Sequence, residues 1–177
     1  PGGSTSGGVV SVTDGMAVAA IGSDTGGSVR IPAALCGLTG FKPTARRVSM
    51  TGVLPLSSSL DSIGPIAPTV ACCAVVDAVL AGDVPQPLER VRLSDLRIGV
   101  LQGYVLDDLE EPVARAYGDA LSRLSAAGAR LQDFEFAALE QIPAWNQKGG
   151  FAAPESYAWH HALIEEHGDR YDPRVRP

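Results

Sequence analysis

One stretch constrains this chain more than any other: Gly22-Ser23-Asp24-Thr25-Gly26-Gly27-Ser28-Val29-Arg30-Ile31-Pro32. It follows a short apolar run, Ala17 to Ile21, and ends in proline. Paired glycines before a serine let the backbone turn sharply and approach a bound group. Successive N–H groups in such a turn can point into one small space and hold a developing negative charge. Ser28 is therefore a candidate nucleophile. A plain glycine loop has the same local sequence, so the stretch alone does not decide between loop and site.

A second serine–glycine turn lies upstream, Pro1-Gly2-Gly3-Ser4-Thr5-Ser6-Gly7-Gly8. About one helix and one strand separate the two, a spacing that can return the second turn beside the first. Taken together, residues 1 to 44 resemble the signature of the amidase signature family. That pattern runs P-G-G-S-S-[SG]-G, a small-residue helix, G-T-D-T-G-G-S-[IV]-R-x-P-A, then C-G and K-P-T. Ser4, Gly22, Asp24, Thr25, Gly26, Gly27, Ser28, Arg30, Pro32, Ala33, Cys36, Gly37, Lys42, Pro43 and Thr44 fall in register with it. Ser59-Leu60-Asp61-Ser62-Ile63-Gly64-Pro65 extends the match to the family's S-x-D-x-x-G-P tract. Beyond about residue 82 the similarity is one of pattern only.

The resemblance implies an α/β fold, a mixed sheet flanked by helices. It also implies cleavage of a carboxamide C–N bond by a serine–cis-serine–lysine triad through an acyl-enzyme. Ser28 matches the nucleophile, and Ser4 the bridging serine behind a cis peptide at Gly3. Backbone N–H groups of Thr25, Gly26, Gly27 and Ser28 match the oxyanion hole. Asp24, Arg30 and Ser6 are supporting residues: Asp24 a loop acceptor, Arg30 a structural ion pair or a substrate contact, Ser6 a helix cap or a network member. The family's lysine lies upstream of the first serine turn, and Lys42 matches no catalytic position. The 177 residues are accordingly expected to be an internal piece of a larger hydrolase, inactive alone.

From the residues themselves, a serine hydroxyl needs a base. His160, His161 and His167 stand far down the chain, and no Gly-x-Ser-x-Gly frames Ser28. A histidine base and an unprotonated lysine both stay open on chemistry alone. Cys36 is read as a small buried thiol rather than a nucleophile. No metal-ligand spacing appears, and no cofactor is expected.

The net charge of −6 argues against direct nucleic-acid binding, and no apolar run reaches the ~18 to 20 residues that span a bilayer. Three cysteines, Cys36, Cys72 and Cys73, do not form a disulfide framework, which favours the cytoplasm. The expected partner is a small-molecule amide substrate. Partner subunits join it if the chain is instead the glutaminase subunit of a tRNA-dependent amidotransferase. A homodimer is a further option, and an inactive scaffold of the same fold is a rival of another class.

Along the chain, the pattern predicts a helix over 7–16 with Ser6 as N-cap, and a buried strand over 17–21. A helical turn follows over 31–35, then a strand over 38–41. Residues 45–68 read as a loop, either a flexible linker at Ser57-Ser58-Ser59 or an ordered cover over the site. Thr69 caps a helix to Leu80 or Ala81, with Cys72 and Cys73 in the core. Next come a strand over 96–101, a helix opened by Asp107 or Asp108 with Pro112 in its first turn, and a strand over 129–136. Strand, helix, strand implies a parallel pair. Two helices fill the tail, where Trp145, Tyr157 and Trp159 either line a pocket or, as large aromatics more often do, serve as packing. Residues 1–82 would hold the signature core, and 83–177 the strand–helix–strand unit and tail of the same domain.

Overall fold

The computed structural model describes residues 1–174. It is α/β in class, with β-sheets flanked by helices. Two compact units are formed, one from residues 1–88 with 149–174 and one from Glu89–Lys148.

In the first unit, α1 (Ser6–Thr13) leads to β1 (Ala20–Asp24), α2 (Arg30–Leu35) and β2 (Thr39–Gly40). Then come β3 (Ser62–Ala67) and α3 (Val70–Leu80). The sheet order is β1-β3-β2, antiparallel throughout, with Gly22 opposite Gly64 and Asp24 opposite Ser62. Every residue of β3 is buried. Val9, Val29, Ala33 and Ile66 are fully buried and form the core, with Val10, Ala20, Cys36 and Leu38 against them. Burying a valine or isoleucine stabilises by ~1.5–3 kcal/mol, which outweighs the weak helix propensity of the valines in α1.

Several expectations shift. β1 starts at Ala20 rather than Ala17, because Met16 and Ala17 donate back to the Ser11 carbonyl and delay the strand. β3 stands where the sequence reads as loop, since its Gly64 and Pro65 imitate a turn. Ser6 is the first residue of α1 and Thr5 its N-cap, without a side-chain capping bond, so Ser6 does not cap. Thr69 does cap α3, its hydroxyl accepting the Cys72 N–H at 3.2 Å. On that helix Cys73 is buried and Cys72 exposed, which corrects the placing of both in the core. Neighbouring helix positions point about 100° apart, so one buried face takes only one of the two. A cleft of about 500 Å³ lies between β2 and α3, lined by Phe41, Val70, Cys73, Asp77 and Leu88 among others.

The second unit holds β4 (Arg97–Leu101), α4 (Glu111–Ala126) and β5 (Arg130–Phe134), with β4 and β5 parallel as expected. Glu110, not Asp107 or Asp108, precedes α4, and Pro112 sits in its first turn. The short α5 (Ile142–Trp145) ends this unit, and α6 (Ala152–His167) belongs to the first. Trp145, Tyr157 and Trp159 are exposed rather than packed. Among the described residues, no helix is long and apolar enough to cross a membrane.

Candidate active site

The two serine turns meet. The Thr5 N–H donates to the Ser28 carbonyl at 3.2 Å, and the Gly3–Ser4 peptide just before it is cis. Thr5 also lies against β1, where a Cβ at Gly22 would come within 2.5 Å of its Oγ1. The sequence thus leaves Gly22 bare so that the first turn can seat on the strand leading into the second. Ser4 is exposed and Ser28 half-buried.

The second turn is built on Asp24, whose side chain is fully buried at the end of β1. Its Oδ1 accepts the Gly27 N–H at 2.8 Å, and its Oδ2 accepts the N–H groups of Val29 at 3.2 Å and Arg30 at 3.3 Å. The Arg30 guanidinium closes on the same carboxylate, Nε at 3.0 Å and Nη2 at 2.9 Å. Burial pushes this carboxyl up. The Arg30 side chain and the Val29 and Arg30 N–H groups outweigh it, so the net direction is below the ordinary aspartate range. The hydrogen bond to the Asp24 carboxylate in turn raises Arg30 above its ordinary value.

The first N–H groups of a helix have no partner within it. Val29, the N-cap of α2, has no side-chain acceptor, so Asp24 serves as a cap from five residues upstream. Pro32 needs no acceptor. Arg30 pairs with Asp24 in this structure. Gly27 has φ +129°, a conformation side chains rarely adopt, and a Cβ there would meet Ile31 Cδ1 at 2.5 Å. Its N–H is taken by Asp24. No protein acceptor among the described residues receives the N–H of Gly26 or Ser28.

A further carboxylate supports this turn. Asp61 is buried and receives the Thr25 hydroxyl on Oδ1. On Oδ2 it receives the N–H groups of Leu56 at 2.8 Å and Ser57 at 2.9 Å. The sequence flagged Asp61 as part of a tract but not as a site residue. Glu155 on α6 was missed altogether: its carboxylate accepts the hydroxyls of Ser57 and Ser59 and the Ser59 N–H. These hydroxyls, with that N–H, hold Glu155 below the ordinary glutamate range. The 57–59 run is therefore an ordered loop.

The other candidates stand elsewhere. Lys42 donates to the Pro43 carbonyl at 2.8 Å and reaches Ser62 Oγ at 3.5 Å, a structural role. Cys36 is half-buried. His160 contacts the Tyr171 hydroxyl at 2.8 Å, and His161 its own helix at Ala158, so neither is brought to Ser28. No cluster of metal-ligating side chains occurs among the described residues.

Comparison with known proteins agrees with this architecture. The chain is 38% identical, over 99% of its length, to 2-amino-5-chloromuconic acid deaminase of Comamonas testosteroni. It is 44% identical, over 74% of its length, to the A subunit of the glutamyl-tRNA(Gln) amidotransferase of Roseiflexus castenholzii, of which that covers 29%. The chain spans 38% of the deaminase's length. A crystal structure of an amidase superposes with TM-score 0.86 at 34% identity, covering 99% of this chain and 39% of that one. The corresponding amidotransferase protein of Thermotoga maritima gives TM-score 0.79 at 34% identity, covering 96% and 40%. The family model "Amidase" matches residues 1–159, and with the two serine turns joined on one strand the chain belongs to the amidase signature family of hydrolases.

Proposed function

We propose that the protein carrying this chain hydrolyses a carboxamide C–N bond to acid and ammonia or amine, with Ser28 as nucleophile and Ser4 as bridge. Residues 1–177 are read as part of a single hydrolase domain. One observation carries the reading: the backbone bond from Thr5 to Ser28, which joins the cis Gly3–Ser4 turn to the Gly-Gly-Ser turn.

An unprotonated lysine supplied from outside these residues takes the Ser4 proton as Ser4 takes that of Ser28. The Ser28 Oγ bonds to the amide carbon, and the carbonyl electrons move onto oxygen. That oxyanion is held by backbone N–H groups among Thr25, Gly26, Gly27 and Ser28. Gly27 contributes least to it, since its N–H already serves Asp24. Donors of this kind are worth ~2.7–4 kcal/mol each. The proton returns through Ser4 to the leaving nitrogen, the C–N bond breaks, and water clears the ester by the same route. Asp24, Arg30 and Ser6 support the turns and touch no reacting atom.

The similarity to amidotransferase A subunits supports a second reading, a glutaminase working with partner subunits. Free thiols, including the exposed Cys72, support a cytoplasmic setting. The test is labelling of the full-length protein by a fluorophosphonate. Ser28→Ala should abolish labelling, and Ser4→Ala should slow it at least 100-fold with unchanged circular dichroism. Labelling that survives Ser28→Ala overturns the assignment, and none at all in the wild type favours a scaffold. Ammonia release from glutamine only with partner subunits added selects the second reading.

A further inference from the structure

The mechanism leaves unused one set of polar contacts that runs through the buried Ser57 and Asp61. It begins on α6 and ends on the oxyanion turn. Glu155 receives three donors from the 57–59 loop: the Ser57 hydroxyl, the Ser59 hydroxyl and the Ser59 N–H, the last at 3.0 Å. Ser57 is fully buried. Its N–H donates to Asp61, its carbonyl accepts the Asp61 N–H at 2.8 Å, and Asp61 in turn receives the Thr25 hydroxyl. Thr25 stands directly before Gly26-Gly27-Ser28.

We propose that Glu155 is a positioning residue for the oxyanion turn, acting through Ser57, Asp61 and Thr25. Each contact in the series has a distinct job. The carboxylate lies in the first turn of α6, where the N-terminal end of the helix favours negative charge. It therefore stays an acceptor and fixes both serine hydroxyls as donors. With Ser57 locked, two adjacent N–H groups, Leu56 and Ser57, converge on one Asp61 oxygen. The other oxygen is then free to hold Thr25. Nothing in the series is part of the lysine–Ser4–Ser28 proton path. It sets where the N–H groups of Gly26 and Ser28 point, and displacements well under 1 Å there weaken oxyanion stabilisation. Sequence separation hides the arrangement, since Glu155 and Ser57 are 98 positions apart.

This inference rests on the proposed function, and the experiment separates the two. Fluorophosphonate labelling of the full-length wild type, Glu155→Ala and Glu155→Gln is followed at several reagent concentrations. Glu155→Ala should lower the limiting labelling rate about tenfold or more, with the half-saturating concentration within about twofold. Glu155→Gln keeps one acceptor oxygen and should recover at least half of the loss on a logarithmic scale. Hydrogen exchange at Leu56, Ser57 and Gly27 should quicken in Glu155→Ala in step with the rate. If Glu155→Ala is less stable but its folded fraction labels at the wild-type rate, Glu155 is merely structural and the inference fails. It fails too if Gln rescues nothing while exchange is unchanged. A wild type that does not label refutes the proposed function instead.

Discussion

Replacing Asp24 by alanine should unfold the turn from beneath, and the structure says by how much. The substitution removes the acceptor of two buried backbone donors, Gly27 N–H and Val29 N–H, and of the more exposed Arg30 N–H. A buried donor left without a partner costs ~1–3 kcal/mol. The Arg30 pair adds little, because the guanidinium side chain is 51% exposed and regains water once freed. Two orphaned donors with a small remainder for the pair give about 2–6 kcal/mol for Asp24→Ala. Arg30→Ala leaves every backbone donor satisfied and should cost only ~0.5–1 kcal/mol. Urea denaturation of the two variants and the wild type near pH 7 measures both. The ratio is the sharp part of the test. Should Arg30→Ala cost as much as Asp24→Ala, the ion pair and not the backbone cap holds the turn, and the reasoning is wrong. The pH dependence has a fixed sign. Asp24 is depressed in the folded state, so its contribution is full above the unfolded carboxylate value of ~3.9 and is lost as pH falls through the folded value. The gap between wild type and Asp24→Ala should therefore narrow only below about pH 4.

Two other substitutions report on different forces. Gly27→Ala meets both a φ of +129° and Ile31 Cδ1 at 2.5 Å, and should cost ~1–3 kcal/mol in urea denaturation while slowing phosphonate labelling. Arg47→Ala strips Asp77 of its partner: Asp77 is buried, accepts Arg47 Nε at 2.8 Å, and has Oδ1 without a partner among the described residues. Arg47→Ala should lower the urea midpoint, and it should lower it less in an Asp77→Asn background, which a double-mutant cycle measures.

How much of this was legible depends on the range of the interactions involved. The serine turns, the cap at Thr69 and the parallel β4–β5 pair follow from signals within a few residues, and the structure has them close to where the sequence puts them. Asp24 reads from the sequence only as a loop acceptor, although all its donors lie within six positions. β3 was not legible. Gly64 and Pro65 are poor strand residues by propensity, yet both are buried between β1 and β2. At Gly64 a Cβ would collide with the Phe41 carbonyl, so the glycine is needed for the neighbouring chain to pass. The residue that lets the strands close is the one that makes the stretch look like a loop.

Glu155 leaves no local signal, and Asp61 only part of one, for the same physical reason. Asp61 lies within a recognisable tract, but the tract does not say what the carboxylate holds. Its partners are two local N–H groups and one hydroxyl 36 positions away, so only the closed antiparallel β1–β3 pair brings Thr25 to it. Glu155 has no local signal, because a glutamate in the first turn of a helix is explained by the helix alone. Its other donors come from a loop that polar composition would leave in solvent. Yet Ser57 is fully buried, and a buried hydroxyl requires a partner. That need, more than any motif, connects the distant helix to the Gly26-Gly27-Ser28 turn.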